Sequence, residues 1–297
     1  MMITGWLYKL CNDSQRFFFE VLLLLLFTAS PLMGGGWTLP RNGGYAKLWL
    51  RWQAAIGALS GHYGPDGTRL PRGDYNEIFF NTYGEYGLAE RLTLVGFWPV
   101  VTSFHMSNLN DYSYTGTGDM SLGLRWGIIQ HRAVLALQFT ATAPLANSSI
   151  AKPFYNIETG ERIGELRVGA GVWDLEPRLQ AGYGWNRGHA GAEIAYKYRS
   201  KDFLPVLSVS AEGGRRLSEK MYGTFRTVMV EPLGTSAAPL DNSPSGIGNG
   251  TEYVGFAFEV DWQRSANFSL GLTLEGAFTF SRQTGGPVMS VYSAWKW

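Results

Sequence analysis

Charged residues at every second position are the feature of this sequence best suited to chemistry. Lys47 and Arg51 flank Trp49, Asp174, Glu176 and Arg178 follow at the same spacing, and Glu259 and Asp261 repeat it. Glu77, Glu85, Asp119, Arg125, Glu193, Lys197, Glu212 and Glu275 stand in similar surroundings. A spacing of two puts side chains on one face of an extended strand. Both signs are thus interleaved on one wall. That suits an electrostatic constriction that sorts solutes, or a network in which the charges neutralise one another. Aromatic rings share the wall. Trp49 and Phe79 fall at polar positions, and in LTLVGFWPVV, apolar on both faces, Phe97 or Trp98 must join them. An apolar patch on a polar wall suits a hydrophobic ligand, with packing against a plug or loop as the alternative.

Other chemistry is thinly represented. His105 and Ser107 lie two apart at a strand end, with Asn108 and Asn110 nearby. A hydrolytic triad also needs an orienting third group in the right geometry. His62, His131 and His189 are scattered over loops and turns and suggest no metal cluster. GIGNG and GTGDMSLG lack the strand–turn–helix setting of a phosphate loop. The one cysteine, Cys11, precedes the first apolar run, so no disulfide framework or cysteine metal site is expected. No catalytic residue, metal or cofactor is expected.

The elements that position these residues read as strands. The chain has 297 residues, 45% of them hydrophobic, yet its mean hydropathy is only -0.08, so apolar and polar residues are interleaved. In YAKLWLRWQAAI, Ala46, Leu48, Leu50, Trp52 and Ala54 oppose Tyr45, Lys47, Trp49, Arg51 and Gln53. In GDMSLGLRWGI, Met120, Leu122, Leu124 and Trp126 oppose Asp119, Ser121 and Arg125. VWDLEPRLQAGYGW, AEIAYKYR, YVGFAFEVDWQ and SLGLTLEGAFTFS repeat the pattern, and about twelve such strands are expected, an even number as in single-chain bacterial barrels. Pro177 inside one of them calls for a bulge. Short joins at 89–91, 130–132, 186–189, 218–220 and 264–267 alternate with longer Gly- and Pro-rich ones such as GHYGPDGTRLPRGD. The chain ends AWKW, a terminal aromatic strand of the kind recognised by outer-membrane assembly machinery.

Alternation alone does not say which face is inside, because soluble barrels alternate too. Three features put the apolar face outside. The opposite face carries Gly, Ser, Thr and mixed charge, as a wet lumen would. Trp and Tyr recur near strand ends on the apolar face, as Trp52, Trp126, Tyr183, Trp262 and Trp295 do, which suits interfacial girdles. Short and long joins alternate along the whole chain. Lys9 and Arg16 ahead of an apolar run and small residues read as a signal peptide over 1–35, cleaved near Gly34 to Gly36, with the barrel over 36–297. The expectation is therefore an all-β, closed antiparallel up-and-down transmembrane barrel in the outer membrane. Its partners would be membrane lipid, the assembly machinery and a small hydrophobic solute. A net charge of +1 argues against nucleic acid.

GGWTLPRNGGYAKLWLRW and TGTGDMSLGLRWG resemble strand motifs of the outer-membrane family named for the MetA pathway of phenol degradation, with Trp126 where that family usually has Tyr. The resemblance implies passage or binding of small, hydrophobic or aromatic compounds and supplies no catalytic residues. The leading expectation is a non-enzymatic transporter or channel. Two alternatives are a lipid-modifying barrel, since outer-membrane phospholipases use a His and a Ser at such a spacing, and a structural barrel tied to exopolysaccharide export.

Overall fold

A computed structural model describes residues 35–55, 75–106, 112–146, 152–155, 162–236, 247–281 and 287–297. Apart from Gly35 the expected signal segment lies outside the described residues, as do His62 and Ser107. The strands are β1 (Gly44–Ala55), β2 (Tyr75–Ala89), β3 (Leu92–Met106), β4 (Tyr112–Gly116), β5 (Met120–Gln130), β6 (Ala133–Ala143), β7 (Lys152–Tyr155), β8 (Arg162–Leu166), β9 (Asp174–Trp185), β10 (Gly188–Arg199), β11 (Val206–Arg216), β12 (Met221–Pro232), β13 (Glu252–Gln263), β14 (Phe268–Ser281) and β15 (Val288–Lys296). All but the β7–β8 hairpin form one antiparallel sheet, which closes because β2 pairs with both β1 and β3. β4 and β5 pair with successive parts of β3, so they form one interrupted stave. The result is a closed barrel of 12 staves. No helix among the described residues is long and apolar enough to cross a membrane.

Backbone N–H and C=O groups facing hydrocarbon have no water to bond, so a sheet in lipid must close. The C-terminal strand closes it here. β15 pairs with β1 from Tyr45↔Lys296 to Gln53↔Val288, and Gly44 and Trp297 exchange backbone hydrogen bonds at 3.0 and 3.1 Å. Pro177 interrupts the ladder without the expected bulge. The register between β9 and β10 is the same on either side, and the pairs at residues 176 and 177 are simply missing. Proline has no N–H to donate, so one local gap suffices, while the opposite edge stays paired through Phe139↔Pro177. Bulges occur elsewhere, between Phe80 and Asn81 on β2 against β3, near Gly127 on β5, and at Val254/Gly255 on β13.

The apolar face is the outer one. Leu50, Leu122, Leu124, Phe139, Leu272, Leu274 and Phe258 are exposed on it, while alternate residues point inward and are largely buried. Trp126, Tyr183, Trp262 and Trp295 face outward near the short-turn rim and Trp52, Trp173 and Tyr198 near the long-loop rim. Apolar side chains flanked by aromatic girdles make a lipid-facing belt. The short joins are the turns β2–β3, β5–β6, β9–β10, β11–β12 and β13–β14, all at one rim.

Leu274 is exposed in the middle of the outer belt. Leu274→Arg is expected to destabilise the barrel in vesicles by about 2–4 kcal/mol, the cost of a guanidinium near the bilayer midplane. Denaturant unfolding followed by tryptophan fluorescence measures it.

Candidate functional site

The segment ahead of β1 does not leave the barrel but crosses its lumen. Asn42 N–H donates to Gly87 O at 2.8 Å and Gly87 N–H to Gly43 O at 2.9 Å, tying residues 42–43 to β2. Leu39 N–H donates to Thr93 Oγ1 on β3, and Thr38 N–H to Gln130 Oε1 on β5. Gln130 Nε2 returns a bond to Gly36 O at 2.8 Å. Trp37 then reaches the far wall, its ring edge-on to His189 of β10 at 6.0 Å. Two inner-wall glycines make room for this strap. A Cβ at Gly87 would stand 1.9 Å from Pro40 O, and one at Gly182 would stand 2.7 Å from the Trp37 ring.

Charge on the inner wall is gathered into clusters. Arg125 is the one that holds the strap. Its Nη1 donates to Glu85 Oε1 and to Trp37 O, both at 3.0 Å, its Nε to Gln138 Oε1 at 3.1 Å and its Nη2 to Tyr83 OH at 3.5 Å. Tyr83 OH in turn donates to Glu85. One planar guanidinium with five donors therefore joins β2, β5, β6 and the strap. On the opposite wall Glu212 accepts two N–H groups of Arg226 at 2.9 and 2.6 Å, with His189 Nε2 3.3 Å away. His189 Nδ1 shares a hydrogen bond of 2.7 Å with Tyr222 OH. Arg178 lies between Glu176 and Glu193, Lys197 reaches Glu176 at 3.3 Å, and Ser210 and Gln180 donate to Glu193. Lys47 pairs with Glu259 at 2.7 Å and lies 3.7 Å from the ring centroid of Tyr292, whose single hydroxyl proton is shared between Glu259 and Asp261, each 3.0 Å away. Arg51 reaches Glu275 at 3.4 Å.

The aromatic side chains collect on another sector. Trp49 stacks on Phe97 at 5.8 Å, and Arg51 lies 5.1 Å from the Phe79 ring. Further toward the long-loop rim Phe104 packs on Tyr114 at 5.6 Å. Rings therefore gather over β1–β3, interleaved there with the paired cations Lys47 and Arg51, while most of the remaining charge clusters lie over β9–β14.

Lys47, Trp49, Arg51, Glu77, Phe79, Glu85, Arg125, Glu176, Arg178, Glu193, Lys197, Glu212, Glu259, Asp261 and Glu275 all point inward. Of the pair Phe97 and Trp98, Phe97 points inward, whereas Trp98 points outward and its Nε1 donates to Thr117. Asp174 is inward but at the long-loop rim, where it meets Arg199 at 3.3 Å. Asp119 is not on the wall. It sits in the break between β4 and β5, and its two oxygens accept the N–H groups of Ala146 and Gly171 at 2.9 Å. It thereby caps backbone donors where the stave is interrupted. His105 faces outward and shares a hydrogen bond of 2.8 Å with Ser113. His189 belongs not to a turn but to β10, buried under Trp37. Arg199 shares the inward face that the alternation of AEIAYKYR gives Glu193 and Lys197, whereas sequence reasoning missed Arg226 and Tyr292, and it missed the strap. The signal for the strap was glycine on inner positions of β2 and β9.

Comparison with solved structures finds this architecture in an outer membrane channel from Pseudomonas putida F1. It is 14% identical, with a TM-score of 0.61, over 90% of this chain and 100% of that one. The NanC porin matches with a TM-score of 0.50 at 6% identity, over 85% of this chain and 100% of its own. No protein-family model matches the sequence, and no curated protein does. The fold is that of outer-membrane channels and porins.

Two outcomes test the strap. Arg125→Met leaves Glu85 buried without its cation and is expected to cost about 3–5 kcal/mol, as breaking a buried pair does, read from denaturant unfolding in vesicles. Trp37→Ala and Gly182→Leu each dislodge the ring between β9 and His189, and single-channel conductance should rise above the parent level in both. Unchanged conductance would show that the strap does not set the constriction.

Proposed function

We propose that the protein is an outer-membrane channel for small hydrophobic compounds, aromatic ones among them. The observation that carries this reading is the fate of the wall charges. Lys47, Arg51, Arg125, Arg178, Lys197, Arg199 and Arg226 each have a carboxylate partner. A cation already held by a carboxylate offers little to a charged solute. The half-buried, stacked rings of Trp49 and Phe97 offer the wall a surface for a ligand, and they suit an apolar one. The strap supports the same reading, because a lumen narrowed by backbone and by the Trp37 ring is poorly suited to bulk flow of water and salts. The motif resemblance to the barrels of phenol degradation points to the same solute class. In this reading β15, with Trp295 packed on Phe268 at 5.5 Å, is also the strand presented to the assembly machinery.

Tryptophan fluorescence during titration with 1-naphthol should report saturable binding to the purified barrel. Trp49→Ala combined with Phe97→Ala should weaken it by about tenfold or more, equivalent to ~1.4 kcal/mol. If 1-naphthol does not bind, and no solute enters vesicles containing the protein faster than empty ones, the transport reading fails.

A further inference from the structure

Charge is distributed unevenly along the barrel axis. Each of the five short turns carries an exposed cation, Arg91, Arg132, Arg187, Lys220 and Arg264, and Arg215 stands exposed beside them at the end of β11. Glu90 and Glu219 are the acids of those turns. The whole chain carries only +1, so this rim is strongly basic and the remainder is net acidic. Among the described residues none of these six cations is in an ion pair with a carboxylate, in contrast to the seven wall cations above.

Their height on the barrel identifies what they face. Short turns of such barrels lie on the periplasmic side. Arg264 is two residues beyond Trp262, which faces outward in the aromatic girdle, and its guanidinium carbon lies 5.0 Å from the Trp262 ring centroid. Arg215 falls at the end of β11, one position past inward-facing Gly214 and therefore on the outward face. Aromatic rings in a girdle sit at headgroup level, so Arg264 lies level with the lipid phosphates, and the other turn cations share its rim. Five of the six are arginine, whose planar fork of donors matches phosphate oxygens.

We infer that the short-turn rim is a binding collar for anionic phospholipid headgroups of the inner leaflet, with phosphatidylglycerol as the fitting class. The collar anchors the barrel vertically by charge as the girdle does by ring burial. A soluble acidic protein is less well suited, because cations level with the girdle are flanked by lipid and not by open solvent.

The test uses the full mature chain in vesicles of phosphatidylcholine containing either spin-labelled phosphatidylglycerol or spin-labelled phosphatidylcholine. The immobilised fraction should be severalfold larger for phosphatidylglycerol. The preference should fall with added salt, as screened contacts do. It should be lost in the combined variant Arg91→Gln, Arg132→Gln, Arg187→Gln and Arg264→Gln, whose folding is checked by heat-dependent gel migration. Should that variant not fold, the salt dependence of the parent still decides. Equal immobilisation of the two lipids, or a preference indifferent to salt, overturns the inference. So does capture of soluble polyglutamate without any lipid preference.

Discussion

The interaction on which this protein depends is the backbone hydrogen bond in a medium without water. An unmet N–H or C=O in hydrocarbon costs several kcal/mol, so the ladder must close on itself. Each irregularity in the barrel shows how that demand is met. The Gly44–Trp297 bonds complete the seam between first and last strands. Pro177 forfeits ladder pairs on one side while Phe139 keeps it paired on the other. Where β4 and β5 break, the Asp119 carboxylate supplies acceptors for Ala146 and Gly171.

Closure divides side chains into two populations under different rules. Outside, lipid asks only for apolar surface, and Leu, Val and Phe satisfy it without specific partners. Inside, charges share a confined wall, and each of the seven wall cations finds a carboxylate nearby. The pairs do so over short distances around the circumference. Lys47 of β1 reaches Glu259 of β13 across two staves, while Arg178 and Glu193 are on neighbouring ones. The more deeply buried pairs, Arg125–Glu85 and Arg199–Asp174, hold the wall in register as much as they decorate it, since losing either partner strands a buried charge.

Arg125 connects that wall to the strap. Its guanidinium satisfies Glu85, Gln138 and Trp37 O together, so the backbone that enters the lumen is held by the same cation that pairs with Glu85 on the wall. The strap ends against His189, itself bound to Tyr222 and next to Glu212. Barrel and constriction are therefore not independent parts. The aromatic rings over β1–β3 stand beside Lys47 and Arg51, whose charges are held by Glu259 and Glu275 and not left free to face a permeating molecule.

Local alternation was enough to give the class of fold, the approximate number of staves, the apolar outer face and the inward set from Lys47 to Glu275. A period of two is a property of each strand alone and needs no knowledge of its neighbours. The same logic narrowed Phe97 and Trp98 to one inward ring without choosing between them, because a stretch apolar on both sides carries no phase. What the tertiary structure decided were contacts between residues distant in the chain. Asp119 obeyed the alternation of its segment yet became a cap, because the stave breaks beside it. His189 looked like a turn residue until the register with β9 and β11 placed it under Trp37. The strap has no periodicity to announce it, being an irregular segment whose partners on the wall are 40 or more residues away. Which carboxylate answers which cation, and that backbone crosses the lumen at all, depend on stave order and shear, which a single strand's pattern does not encode.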